Sequence, residues 1–93
     1  MIVSADVIRK SIEHYGKETQ STVCMEECAE LIQAISKEKR GKHDYTHLAE
    51  EIADVLICIS MLQVMYNVRD CDIQHWIDCK QERIIDRISK DEA

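Results

Sequence analysis

Two stretches of this chain nearly repeat each other: Glu26-Glu27-Cys28-Ala29-Glu30-Leu31-Ile32 and Glu50-Glu51-Ile52-Ala53-Asp54-Val55-Leu56. Each places a double Glu before a third carboxylate three positions on, followed by an aliphatic pair. Residues three apart share one side of an α-helix. Glu27 and Glu30 therefore project from one helix face, and Glu51 and Asp54 from another. Like charges gathered in this way repel, and folding alone has no use for them. A divalent cation held between the two helices supplies the reason.

Outward from these motifs the chain reads as helix throughout. It has no proline and only two glycines, so breaks are few and the helices long. Ser4 is a good N-cap, and the spacing of Ala5, Ile8, Ile12 and Tyr15 predicts a first helix over residues 4–15, stopped by Gly16. The second is expected over 19–40, with Cys24, Cys28, Leu31, Ile32 and Ile35 as its apolar stripe. The basic last turn Lys37, Lys39, Arg40 complements the helix dipole there, and Gly41 is the stop.

A third helix follows over 46–67. Leu48, Ile52, Val55, Ile59, Leu62 and Tyr66 form one stripe, and Ile57, Met61 and Val64 a second on the far side. A helix apolar on two sides needs cover on two sides, and in so small a domain the second cover is expected from another subunit. The fourth helix is expected over 72–90, N-capped by Asp72, with Ile73, Trp76, Ile77, Ile84 and Ile88 inward. All connections are short, so neighbouring helices run antiparallel. The fold class is an all-α antiparallel bundle of about four helices, one domain over residues 1–93, oligomerising through its central helices.

Composition narrows the function. A net charge of -6 argues against a DNA or RNA polymer as partner, because nucleic-acid binders carry basic patches. A single nucleotide needs only a few local cations or a bound metal. No apolar run is long enough for a bilayer and no signal-peptide pattern appears. Five cysteines, an odd count without paired spacing, suit a reducing, cytoplasmic setting. If the second and third helices pack through their stripes, Glu27, Glu30, Glu51 and Asp54 converge. Oxygen-only ligands suit Mg²⁺, Mn²⁺ or Ca²⁺ rather than Zn²⁺, and such a site bridges polyphosphate and activates water.

The paired motif, with the runs Glu26 to Lys37 and Leu48 to Ile57 around it, resembles the MazG-like all-α nucleoside triphosphate pyrophosphohydrolases over about residues 20–88. The resemblance implies hydrolysis of (deoxy)nucleoside triphosphates to the monophosphate and pyrophosphate. It implies Mg²⁺ (with Mn²⁺ as a substitute) on Glu27, Glu30, Glu51 and Asp54, metal-activated water as the attacking group, and a homodimer or homotetramer. Glu26 and Glu50 are the candidates for positioning that water, against a plain reading as surface residues.

Lys80 falls in the apolar stripe of the fourth helix with Arg83 on its flank, and the two are the candidate phosphate-binding cations. Trp76 is read as core or subunit interface rather than a base-stacking platform. Cys24 and Cys28 read as small buried hydrophobes, and His43 and His47 as solvated residues of the loop. Two rival readings fit less well. A ferritin-like di-metal protein requires Glu-x-x-His, and no Glu here has His three residues later. A non-catalytic helical interaction module accounts for the two-sided third helix but not for the paired carboxylates.

Overall fold

In the computed structural model, which describes residues 1–92, the chain forms four α-helices: α1 (Ala5–Tyr15), α2 (Lys17–Lys39), α3 (Tyr45–Tyr66) and α4 (Asp70–Glu92). The boundaries follow the local chemistry. The Ser4 hydroxyl accepts from the N–H of Val7 and caps α1. Gly16, at φ 88°, both ends α1 and opens α2, a conformation a side chain would strain. The Asp44 carboxylate accepts from the N–H of His47 and caps α3. Asn67, at φ 56°, ends α3 in the left-handed conformation that Asn tolerates better than most residues. The fourth helix starts earlier than expected, at Asp70, so Asp72 lies inside its first turn, where Arg69 grips it through Nε at 3.0 Å and Nη2 at 3.1 Å.

α2 and α3 form the central antiparallel pair, and α1 packs against both. The pairing is anchored along its length. The Ser21 and Tyr66 hydroxyls are 2.7 Å apart at one end. Cys24 Sγ donates to the Cys58 carbonyl at 3.6 Å in the middle, and Glu38 accepts from the N–H of Asp44 at 3.0 Å at the other end. The core is Ile8 of α1, Cys24 of α2, and Cys58, Met61 and Met65 of α3, with Val3, Ile12 and Leu62 packed around it.

The helices are turned relative to the sequence expectation. α2 buries Gln20, Cys24 and Ala34 and leaves Ile32, Ile35 and Cys28 exposed. α3 buries Glu51, Cys58, Met61 and Met65, so Met61 belongs to the core rather than to the far side. Ile52 and Ile59, expected inward, are each 43% exposed and join Ile57 and Val64 on the open surface. The reason is that α3 is apolar almost all round, and its rotation is decided by Cys58, Met61 and Met65 fitting against Ile8 and Cys24. Beside this outer face, the Met1–Val3 segment lines an apolar groove of about 450 Å³ with Ala49, Ala53 and Leu56.

α4 departs most from expectation. None of its residues is buried. Ile77, Ile84 and Ile88 are exposed and Trp76 is 53% exposed, so of the stripe expected inward only Ile73, at the start of the helix, is partly covered. The turn from α3 fixes the exit direction: Gln63 Nε2 reaches Asp70 Oδ1 at 2.6 Å and the Val68 carbonyl at 3.4 Å. The molecule is accordingly long, 53 × 36 × 22 Å.

Ile8, 2% exposed, is the contribution of α1 to the core. Ile8→Ala is expected to cost about 2–5 kcal/mol in urea unfolding. A loss below about 1 kcal/mol, the range of exposed positions, would mean that α1 is not part of the cooperative unit.

Candidate metal centre

The repeated motif meets itself across the α2–α3 interface. Glu27 and Glu30 come from α2, Glu51 and Asp54 from α3, and one oxygen from each lies within 4.8 Å of the others. Three-residue spacing stacks the two carboxylates on each helix, and the antiparallel register brings the two stacks together. On the apolar stripes expected from the sequence, Glu27 and Glu51 sit at the edge of their helices' inward faces. The rotation of α2 and α3 moves both inward, leaving Glu27 half-buried and Glu51 only 7% exposed.

This placement has an electrostatic cost. Burial, then the charges of Asp54 and Glu30, push the Glu27 carboxyl from 4.5 up to about 7. Burial and the charge of Glu30 also raise Glu51, with His47 pulling the other way and Asp54 adding to the rise. One oxygen of each residue, Glu27 Oε2 and Glu51 Oε2, is buried without a hydrogen-bond partner. Buried polar atoms are nearly always paired, and a buried charge left unpaired is expensive. A cation among the four oxygens would satisfy both orphaned atoms and remove the repulsion. The donor set is all oxygen, which fits hard ions such as Mg²⁺, Mn²⁺ or Ca²⁺.

Cys24 and Cys58 form the floor next to the carboxylates. Burial first, and then contact with Cys24, push the Cys58 thiol up to about 12, so it stays protonated and serves as packing. Cys28, read from sequence as buried, is exposed because α2 turns Glu27 rather than Cys28 toward α3.

The remaining candidates lie outside the cluster. Glu26 and Glu50 are exposed next to their inward neighbours and are not among the four. Lys80 and Arg83 are exposed on α4, and neither is in a salt bridge among the described residues. His43 is bound by Glu38 at 2.6 Å at the loop. His47 was placed in solvent by the sequence reading, yet it stands 3.8 Å from Glu51 through Nδ1, with its side chain 36% exposed. The signal that could have found it is the spacing of four between His47 and Glu51 on one helix.

Residues 15–90 match the family described as the MazG nucleotide pyrophosphohydrolase domain. No curated protein and no solved structure gives a significant match to the chain. The family match spans most of the chain and contains all four clustered carboxylates, and the chain belongs to the MazG family.

The raised carboxyls fix how metal-free stability depends on pH. Glu27 binds its proton more tightly folded (about 7) than unfolded (4.5), so its contribution is full below the unfolded value and is lost as pH rises through the folded one. The metal-free protein is expected to melt higher at about pH 5 than at about pH 8, and Glu27→Gln to flatten the difference. Thermal melts in chelator check this, and equal melting temperatures at both pH values would contradict the burial of charge.

Proposed function

We propose that this MazG-family chain is a Mg²⁺-dependent nucleoside triphosphate pyrophosphohydrolase, with residues 1–93 working as one catalytic domain. The observation that carries the reading is the group of four carboxylates with two buried, unpartnered oxygens. Folding stability alone selects against that arrangement. Glu27, Glu30, Glu51 and Asp54 are assigned as the metal ligands, with Mn²⁺ as an alternative ion. When bound, the ion would neutralise polyphosphate charge and activate water.

The chain's own residues complete the assignment. Glu26 and Glu50, beside the ligands and open to solvent, are assigned to orient the attacking water and take its proton. Water adds to the α-phosphorus of a (deoxy)nucleoside triphosphate, the bond from that phosphorus to the bridging oxygen breaks, and pyrophosphate leaves. Lys80 and Arg83, free of salt bridges among the described residues, are assigned to the departing phosphates. Since α4 leaves the three-helix core, they meet the phosphates in an assembly rather than within one isolated chain.

A homodimer or homotetramer is part of the proposal. Ile32 on α2, Ile52, Ile57 and Ile59 on α3, and the Trp76–Ile77 face of α4 are all exposed. So many large apolar side chains left exposed on three helices support an interaction surface. None of the helices is long and apolar enough to cross a membrane, and five free thiols suit a reducing, cytoplasmic setting.

Product analysis with a panel of (deoxy)nucleoside triphosphates tests the reaction. Mg²⁺-dependent release of monophosphate and pyrophosphate is expected, lost by at least about 100-fold in Glu51→Gln, as befits a missing ligand to a catalytic metal. Orthophosphate and diphosphate as products would overturn the assigned bond. No turnover, together with no effect of Mg²⁺ on the melting temperature, would favour a non-catalytic helical interaction module. For the assembly, Ile59→Lys is expected to shift the mass by light scattering from oligomer toward monomer, and a wild-type monomer would refute it.

A further inference from the structure

We propose that His47 is a positioning residue for Glu51, holding that carboxylate in its ligand orientation through contacts that begin at the end of α2. This rests on the carboxylate cluster being the metal site.

The contacts start at Glu38, in the last turns of α2. Its Oε2 meets His43 Nδ1 at 2.6 Å and its Oε1 accepts from the N–H of Asp44 at 3.0 Å. The His43 hydrogen bond, and then that of Asp44, hold the Glu38 carboxyl below its ordinary range, so it stays charged and keeps both partners. Asp44 is the N-cap of α3, and its Oδ1 accepts from the N–H of His47 at 3.0 Å. The first turn of α3 is thereby fastened to the last turns of α2, and His47 sits in that turn.

Its imidazole lies one turn before Glu51, with Nδ1 3.8 Å from Glu51 Oε1. Glu51 Oε2 is the buried atom with no partner. The two oxygens are thus differentiated, one facing a ring nitrogen and the other left for a ligand. The other groups near the Glu51 carboxylate are the carboxylates of Glu30 and Asp54, whose charges push on it, and His47 alone pulls the other way. Groups that hold a metal-binding carboxylate from outside set its geometry, and losing one typically weakens metal binding ten- to a hundred-fold.

The loop explains why a histidine suits this point. The stretch Lys37 to Lys42 carries Lys37, Lys39, Arg40 and Lys42, all exposed. A lysine or arginine at position 47 would add a permanent, mobile charge next to the ligands. The imidazole is shorter and more rigid, and stands at ion-pair distance from Glu51 Oε1, 3.8 Å.

Calorimetric titration of the full chain with Mn²⁺, at one fixed pH, compares wild type with His47→Leu, His47→Gln and Glu51→Gln. Wild type is expected to bind, and Glu51→Gln to lose binding. His47→Leu is expected to bind about ten- to a hundred-fold more weakly, and His47→Gln, which keeps a donor, to recover most of the loss. Helix content by circular dichroism is expected to stay constant, separating positioning from folding, and His47→Ala repeats the comparison should Leu disturb packing. Wild-type affinity in both His47→Leu and His47→Ala, with Glu51→Gln still defective, would overturn the role of His47 and leave the metal site standing. No Mn²⁺ uptake by wild type would overturn the metal site and the role of His47 together.

Discussion

The mutual repulsion of four carboxylates packed between two helices is the constraint around which this structure is organised. Glu51 is buried and Glu27 and Asp54 half-buried at positions that a purely structural pair of helices would give to Leu or Ile, and the exposed Glu30 closes the group from outside. Burial and the neighbouring carboxylates together penalise the charges of Glu27 and Glu51, and the Glu27 carboxyl rises to about 7. The rest of the molecule compensates for this: a tight apolar cluster on one side of the carboxylates and a hydrogen-bonded loop on the other.

Those compensations are placed where they act. Ile8, Cys24, Cys58, Met61 and Met65 form a compact core that begins about one helical turn beyond Glu27 and Asp54. Cysteine and methionine adapt to irregular gaps, which suits an interface whose spacing is set by the carboxylates. At the opposite end the Glu38–Asp44 and Asp44–His47 hydrogen bonds close the short loop. Held at both ends, α2 and α3 keep their like charges facing each other. Rotating either helix to bring Ile32 or Ile59 inward would relieve the repulsion and lose the site.

Much of this is legible in the sequence, and the limits have physical reasons. The helix ends were readable because Ser4, Gly16 and Asn67 have few other uses in an otherwise unbroken helical chain. The carboxylate group was readable because the motif occurs twice, and two like-charged faces in one small domain ask for a common cause. The rotation of α3 was not, because Val55, Ile57, Ile59, Met61 and Leu62 surround the helix and periodicity alone fits more than one face. For α2 the apolar stripe through Cys28 and Ile32 competed with one through Cys24 and Ala34, and only contact with Ile8 and Cys58 selects the second. That α4 stands away from the other three helices was equally hidden: an amphipathic pattern says that one face seeks cover, not which surface provides it. His47 was missed because a histidine near a loop is ordinarily solvated, and its value comes from the buried state of Glu51, which the sequence does not display.

The two departures, inward carboxylates and outward isoleucines, have one origin. A chain of 93 residues has few inward positions, and a small domain already buries proportionally little. Assigning several of those positions to ligands leaves apolar side chains with nowhere inside to go. Ile32, Ile52, Ile57 and Ile59 on the central helices, and Trp76, Ile84 and Ile88 on α4, are the surplus. In the proposed assembly another copy covers them, and that copy would also bring the exposed Lys80 and Arg83 of its α4 toward the carboxylates. The proposed chemistry and the proposed assembly are therefore linked: placing carboxylates inside so small a fold leaves outside the apolar surface that the proposed assembly would use.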